Sequence, residues 1–223
     1  MSRPVLVSWS SGKDSAWLLH TLRERADLEV VGLVTTLNQA AGRVAMHAVR
    51  ETLLAQQAEG VGLPLWKVPL PYPCPNEAYE AAMKSLLERA RAEGIEAMAF
   101  GDLFLEDVRR YRESRMEGSG IEPLFPLFGS STSELAGEMV RAGLRAWITC
   151  VDPRQIPRRF AGRRFDAELL ADLPEHVDPC GERGEFHTFA FEGPMFGEPV
   201  GVRLGETLER DGFVFTDLLP DPA

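Results

Sequence analysis

The stretch from Val5 to Ser15, VLVSWSSGKDS, constrains this chain more than any other. An apolar run at Val5 to Val7 breaks into Ser8-Trp9-Ser10-Ser11-Gly12-Lys13-Asp14-Ser15, and an apolar helical pattern of Ala16, Leu18, Leu19 and Leu22 follows at once. The pattern predicts strand, small-residue loop and helix in succession. Such a turn gathers backbone N–H groups and the positive end of a helix dipole on one spot, which suits a phosphate. Lys13 adds a mobile point charge. The chain holds only three lysines, Lys13, Lys67 and Lys84, so a lysine here is not background. A Walker A loop would need glycine five residues before the Gly-Lys pair and Ser or Thr directly after it. Those positions hold Val7 and Asp14, so the loop is a poor Walker A. The plain alternative is an ordinary Ser/Gly-rich strand-to-helix turn with a surface lysine.

At 223 residues the chain can bury a sizeable core, as one large α/β domain or as one domain with an appendage. Its 24 basic and 34 acidic residues give a net charge of −10, which argues against general binding to nucleic acid or a membrane surface. Cys74, Cys150 and Cys180 are far apart and form no CxxC pair, so neither a zinc site nor a disulfide framework is indicated. The opening MSRPVLVSW lacks the apolar stretch and cleavage site of a signal peptide, and no apolar run is long enough to span a bilayer. The expectation is a cytoplasmic protein with reduced thiols. Arginine in preference to lysine, with abundant alanine, points to a GC-rich bacterial genome.

Strands and helices alternate along the chain. A helix from about Asp14 to Arg25 leads to a β-branched strand at Glu29 to Leu37. A helix at Arg43 to Glu59 is stopped by Gly60-Val61-Gly62, and a third strand covers Leu65 to Leu70. Pro71 to Pro75 must be a rigid loop. Glu77 to Arg91 reads as an amphipathic helix ended by Gly94, and Ile95 to Gly101 as a fourth strand ending at Asp102. A helix from Leu103 to Glu117, an irregular stretch at Ile121 to Phe128, a helix at Thr132 to Arg141 and a last strand at Arg145 to Val151 complete the series. This order predicts a doubly wound parallel sheet of the Rossmann-like kind, with residues 1–151 as the nucleotide-binding domain. Beyond Asp152 the texture changes. An arginine-rich stretch, a short helix at Ala167 to Asp172, a Gly/Glu-rich loop at Cys180 to Glu185 and three strand-like runs form a small C-terminal lobe over residues 152–223.

In an open parallel sheet, ligands bind beyond the carboxyl ends of the strands where the order reverses. If the first and fourth strands are neighbours, the Ser8 to Ser15 loop and the Gly101-Asp102 turn face one crevice. Asp102, Glu106, Arg109 and Glu113 are four, three and four residues apart, so at about 100° per residue they share a helical face. That stripe also reads as solvated ion pairs, and for Glu113 the two readings balance. Asp102, at a strand's end, could hold Mg2+ or orient a nucleophile. His47 could contact a nucleotide or titrate, with Arg50 one turn away, although a lone helix histidine more often packs or faces solvent. Arg154, Arg158, Arg159, Arg163 and Arg164 could neutralise a triphosphate, or most of them could form a solvated face. In Cys180 to Thr188, CGERGEFHT, the side chains of Glu182, Glu185 and His187 crowd together and Gly181 and Gly184 permit a tight turn. Two carboxylates and an imidazole can bind an amine, ammonium or metal, or move protons. A glycine-rich hairpin with surface glutamates is the alternative. Phe186 to Phe191 alternates as a strand would, so Glu185 and His187 should share a face.

The segment SSGKDS resembles the SGGKDS loop of the N-type ATP pyrophosphatases at five of its six positions, with Ser11 where the family loop more often has Gly. Together with AFGDLFLEDVRRYRE and DPCGERGEFHTFAFEGPMF, it is similar to the three marks of the diphthine–ammonia ligase family, also called the diphthamide synthase domain. The resemblance implies an adenine-nucleotide α-hydrolase-like domain with a family-specific C-terminal lobe. It further implies an ATP-dependent ligase that adenylates a carboxylate, displaces AMP with ammonia to make an amide, and releases pyrophosphate. Carried over by position, Ser10, Ser11, Gly12, Lys13, Asp14 and Ser15 would hold the phosphates, Gly101 and Asp102 would complete the nucleotide side, and Glu182, Gly184, Glu185 and His187 would line the acceptor or ammonia side. With the candidates read from the residues themselves, the expected set is Ser8, Ser10, Ser11, Gly12, Lys13, Asp14, Ser15 and Gly101 for ATP, Asp14 and Asp102 for Mg2+, Lys13, Asp14, Asp102, Glu182 and Glu185 for catalysis, and His47, Arg109, Gly184 and His187 for substrate. The partners implied are ammonia and a carboxylate acceptor, either a small molecule or protein-borne, with a homodimer left open. Two other readings stand beside this one. A non-catalytic ATP-binding module would bind without turnover, and a tRNA-thiolating enzyme with a similar loop would want paired reactive cysteines and a nucleic-acid surface.

Overall fold

The computed structural model describes residues 2–38, 43–44 and 49–222, with backbone alone at 43–44. In chain order the first elements are β1 (Arg3–Ser8), α1 (Lys13–Arg23), β2 (Leu28–Asn38), the two-residue β3 (Arg43–Val44), α2 (Glu51–Gly60), β4 (Leu65–Leu70), α3 (Asn76–Ala92), β5 (Ala97–Ala99), α4 (Glu106–Met116), β6 (Glu122–Leu124) and α5 (Thr132–Arg141). Val5, Leu6 and Val7 are all but inaccessible, because β1 is the central strand and is covered on both faces. It pairs in parallel with β2 on one side and with β5 on the other. Across the parallel strands the order is β4-β2-β1-β5-β6, with β3 antiparallel against the end of β2. The reversal point of this Rossmann-like sheet therefore lies between β1 and β5, and the expected adjacency of the first and fourth strands holds.

Alternation along the strands divides the core. Val5, Val7, Ala97 and Ala99 point to one face, where Leu18, Leu19 and Leu22 of α1 and Leu53, Leu54 and Ala58 of α2 cover them. Leu6, Val34, Val68 and Met98 point to the other, where Leu86, Leu87 and Ala90 of α3 and Met116 of α4 pack. Helices thus lie on both faces. The helix expected from Arg43 is corrected at its start: residues 43–44 form β3 against the end of β2 and the helix begins at Glu51, while residues 45–48, including His47, lie outside the described residues.

The C-terminal part contains β7 (Arg145–Val151), a single 3-10 turn at Arg158–Phe160, β8 (Arg164–Phe165), α6 (Ala167–Asp172), β9 (Phe186–Glu192), β10 (Val202–Arg210) and β11 (Phe213–Pro220). Here one expectation is corrected. Arg145–Val151 has the predicted limits but does not extend the parallel sheet; it is the middle of an antiparallel one, pairing with β9 along its length and with β8 and β11 on the other edge. A run such as RAWITCV is apolar enough to be buried on both faces, and burial alone does not say which strand lies beside it. The antiparallel sheet packs on the α1 and α2 face, so Phe160, Phe165, Phe189 and Val214 join the same core as Val5 and Leu19.

Gln57 is the clip between the two sheets. Fully buried on α2, it accepts from Trp9 Nε1 at 2.9 Å and donates to the carbonyls of Ser11 at 3.0 Å and of Ala190 at 2.6 Å. One side chain therefore satisfies three buried groups from the first loop and from β9. Gln57→Leu keeps the volume but removes all three bonds; the Ser11 carbonyl still accepts from the Ala190 N–H at 2.9 Å, so the Trp9 N–H and the Ala190 carbonyl bear the loss, at roughly 1 kcal/mol each. The expected loss is about 2 kcal/mol in a urea titration, or a fall in Tm of roughly 4–8 °C for a chain of this size; a change within experimental error would show that the clip does not hold the sheets.

Candidate functional site

The first loop closes over the carboxyl end of β1. Ser11 adopts a left-handed conformation, φ 71°, and is fully buried, with a hydroxyl that finds no hydrogen-bond partner among the described residues. Ser10 Oγ donates to Ser15 Oγ at 3.2 Å and accepts from the Gly12 N–H at 3.3 Å, so the turn is braced internally before α1 begins at Lys13. Gly101 lies against this turn. A Cβ there would stand 3.3 Å from the Asp14 carbonyl, a tight contact that would push the segment after β5 and the first turn of α1 apart by a few tenths of an ångström.

Lys13 does not reach toward solvent. It is 1% exposed, and its ammonium donates to both oxygens of Asp14 at 3.0 and 2.9 Å and to the carbonyl of Cys180. The rings of Phe165 and Phe186 each lie 5.4 Å from its Nζ. Burial opposes the charge, but the Asp14 carboxylate, with Glu182 behind it, more than offsets this and holds the lysine pKa above its ordinary value. The Lys13 backbone N–H is also engaged, donating to Thr188 Oγ1 on β9 at 3.0 Å. A lysine expected to hold phosphates is thus turned toward the C-terminal lobe.

The facing wall is the segment 178–188. Gly181 and Gly184 have φ of 71° and 82°, and a Cβ on Gly181 would come within 2.8 Å of the Phe186 carbonyl. Two buried carboxylates knit this loop. Glu185 accepts from the N–H groups of Asp178 at 3.0 Å and of Arg183 at 2.9 Å, and Asp178 accepts from that of Glu182 at 2.9 Å. Held in this way, Glu182 points into the crevice and accepts from the Leu103 N–H at 2.8 Å. Burial, and beyond it the charges of Asp14 and Asp102, outweigh that hydrogen bond and push its carboxyl up to about 7. His187, half-buried on β9, is pushed down to about 4 by burial and then by Lys13, which leaves the imidazole neutral at pH 7.

The resulting crevice of about 260 Å³ brings together Ser8, Ser10, Lys13, Asp14, Ser15, Gly101, Asp102, Glu182 and His187 from the sequence-derived set. Ser11 and Gly12 form the loop behind it. Glu185, expected to be catalytic beside His187, is instead buried under the loop with its oxygens occupied by amides. It precedes the strand that presents His187, so strand alternation does not govern it. Gly184 serves the turn. Arg109 lies off the crevice, paired with Glu113 at 2.9 Å and set against the rings of Phe125 and Phe128. The reason is where α4 starts. Residues 103–105 are not helical, so Asp102 turns back and meets Arg112, which donates to it at 2.6 and 3.1 Å while stacking on Phe100. Arg112 and Thr188 also line the crevice; the Asp102–Arg112 contact depends on how residues 103–105 turn, which no sequence period signals. The arginines of 154–164 are paired or stacked within the C-terminal lobe: Arg154 with Asp152, Arg158 with Glu209, Arg163 with Asp172, Arg159 on Phe160 and Arg164 on Trp147.

Asp14 and Asp102 were expected to hold Mg2+. Each has both oxygens bound by a cation, Lys13 or Arg112, and among the described residues no group of three or more His, Cys, Asp or Glu could hold a metal ion. These residues do not by themselves fit a resident metal. Cys180 is also unsuited to nucleophilic work: burial pushes its thiol up to about 12. Among the described residues no helix is long and apolar enough to cross a membrane.

A braced Ser/Gly turn at the reversal point of a Rossmann-like sheet, facing an acidic loop from an antiparallel lobe, defines an α/β protein with a crevice between its two sheets. The chain belongs to the diphthamide synthase family: residues 3–123 match the diphthamide synthase N-terminal domain and residues 131–215 the C-terminal domain. It is similar to the diphthine–ammonia ligases of Homo sapiens and Bos taurus, each 28% identical over 148 residues, covering 63% of this chain and 53% of the relative. The diphthine–ammonia ligase of Danio rerio is 29% identical over 132 residues, 56% of this chain and 50% of that protein. The chain spans about half the length of these relatives.

Two measurements check this geometry. Ser11→Gly removes a left-handed L-residue and an unpartnered hydroxyl, and should raise stability by about 1 kcal/mol after the added chain entropy is subtracted. Glu182 and His187 should act oppositely on stability. Between about 4.5 and 7 the folded state holds the extra proton at Glu182, so that residue's contribution falls as pH rises; between about 4 and 6.5 the unfolded state holds it at His187, so that contribution rises. Relative to the parent, His187→Gln should lose stability with rising pH and Glu182→Gln should gain it, by up to roughly 1 kcal/mol per pH unit in urea titrations. Parallel profiles for the two variants would contradict the assignment.

Proposed function

We propose that this protein is an ATP-dependent, AMP-forming ligase that adenylates an acceptor carboxylate and converts it to an amide with ammonia. The observation that carries the reading is the meeting, in one crevice, of the Ser/Gly turn with Glu182 and His187. Family membership and the printed activity of the relatives, diphthine–ammonia ligase, support it. The turn, the N-terminus of α1 and the hydroxyls of Ser8, Ser10 and Ser15 receive the nucleotide phosphates. Arg112, already in the crevice, can exchange one N–H from Asp102 to a phosphate oxygen. Lys13 acts from behind, fixing the turn to the lobe and adding positive potential.

In the first step an acceptor carboxylate oxygen bonds to the α-phosphorus, and the bond from that phosphorus to the β-bridging oxygen breaks, its electron pair leaving with pyrophosphate. In the second, the ammonia lone pair bonds to the acyl carbon and the C–O bond to AMP breaks. The surplus proton on nitrogen passes to Glu182, a carboxylate with a pKa near the working pH, as a general base should have. Neutral His187 can hold the incoming ammonia through its ring nitrogen. We also propose that the two parts divide between β6 and α5, earlier than residue 151, because β7 pairs with strands of the C-terminal lobe.

Incubation with ATP, magnesium, ammonium and a pool of carboxylic acids should release AMP and pyrophosphate, with amide formation following an apparent pKa near 7 on its acid limb. Glu182→Gln should remove that limb and lower kcat by roughly 100-fold or more. Release of ADP and phosphate without AMP would refute the mechanism. ATP binding without turnover would favour a nucleotide-binding module.

A further inference from the structure

A second cavity, of about 490 Å³, lies on the opposite face of the parallel sheet, between α3 and α4. Its origin is geometric. α3 packs on β4 and α4 on β6, the two edges of the five parallel strands. Four strand spacings separate those edges by about 19 Å, while a helix with its side chains is about 10 Å across, so a gap of roughly 9 Å remains over the middle of the sheet. Met98 and Phe100 form its floor, and Met83 and Leu87 of α3 and Met116 of α4 form its walls. Three methionines make an adaptable, polarisable lining suited to an apolar body of variable shape. At the mouth, Arg115 of α4 pairs with Glu80 of α3 at 2.6 Å.

This cavity meets the nucleotide crevice at one residue. Arg112 lines both, and it is the only described residue that does. Its Nε and one terminal nitrogen hold Asp102 on the crevice side, its face rests on Phe100, and its other terminal nitrogen makes no hydrogen bond among the described residues. The lining is largely apolar in its floor and walls and carries charges of both signs, Glu80, Lys84, Glu88, Arg91 and Glu117 beside Arg115; a guanidinium with donors to spare at its inner boundary suits a carboxylate.

We propose that the cavity between α3 and α4 binds the acceptor, an organic acid with an apolar body, and that Arg112 receives its carboxylate at the wall facing the nucleotide. The assignment rests on the ligase reading and adds to it a substrate class and a route: the acid approaches from the α3–α4 side, while ammonia is handled on the Glu182 and His187 side. The two nucleophiles then enter from opposite walls and do not compete for one space.

The test uses methyl-13C-methionine protein and 4-phenylbutyrate, with 4-phenylbutan-1-ol as the uncharged control. The acid should shift the methyl signals of Met83, Met98 and Met116 and leave those of Met139 and Met195, in the other core, unmoved. The alcohol should bind at least ~10-fold more weakly, the loss expected for a charge-assisted hydrogen bond. Met83→Trp, which fills the cavity, should abolish the shifts while unmoved Met139 and Met195 signals report an intact fold. In the AMP-release assay the same variant should raise the acceptor KM at least tenfold and leave the ATP KM unchanged. Unshifted cavity methionines, equal binding of acid and alcohol, or an unchanged acceptor KM with AMP still formed would overturn the cavity assignment and leave the ligase reading standing. ADP in place of AMP would overturn the ligase reading and this assignment with it.

Discussion

The structure turns on the buried ammonium of Lys13. A charge removed from water this completely is tolerated only when it is paired and its donors are used, and here Asp14, the Cys180 carbonyl and two phenylalanine rings meet that demand. The partners come from both parts of the chain. Asp14 is in the first turn of α1, Cys180 is in the acidic loop, and Phe165 and Phe186 belong to the antiparallel sheet. The hydrogen bond from the Lys13 ammonium to the Cys180 carbonyl therefore ties the turn to the loop, while Asp14 balances the charge from the turn's own side. Gln57 and Thr188 reinforce the same junction with neutral hydrogen bonds.

A junction fixed in this way explains how Glu182 can be held partly buried at a pKa near neutrality. Such a carboxyl would ordinarily relax toward water. Its backbone cannot move, because Asp178 and Glu185 spend their own charges on the loop's amides. Two acidic residues hold the loop so that a third can titrate where the crevice needs it. In sequence the three look alike; only hydrogen-bond geometry separates the structural pair from the titrating one.

That distinction marks how far the sequence could be read. The strand-loop-helix at Val5 to Ser15 and the limits of α5, β7 and α6 were legible because periodicity and capping residues are local signals; Ser131, for example, caps α5 through the Glu134 N–H. The partner of a strand is not a local signal, and β7 was assigned to the wrong sheet for that reason. The place of Glu185 was illegible too, since it depends on how two glycines fold the loop beneath it. Lys13 carries the same lesson at the opening motif. Its identity suggested phosphate binding, and its position as the first residue of α1 determined that it points into the other lobe.

With Lys13 committed to the junction, the charge of an incoming polyanion must be met by other groups. In the proposed reading the hydroxyls and dipole of the turn supply part, and among the described residues Arg112 is the one arginine that lines the crevice. Its pairing with Asp102 fixes the guanidinium in advance at small cost, since one face stacks on Phe100 and a bidentate carboxylate holds its plane. Pre-orientation matters because an arginine carries large rotamer freedom, and ordering it before the ligand arrives removes that loss from binding. Under the proposed ligase reading, Asp102 contributes to anion recognition without touching the anion: it is the group against which Arg112 is aimed.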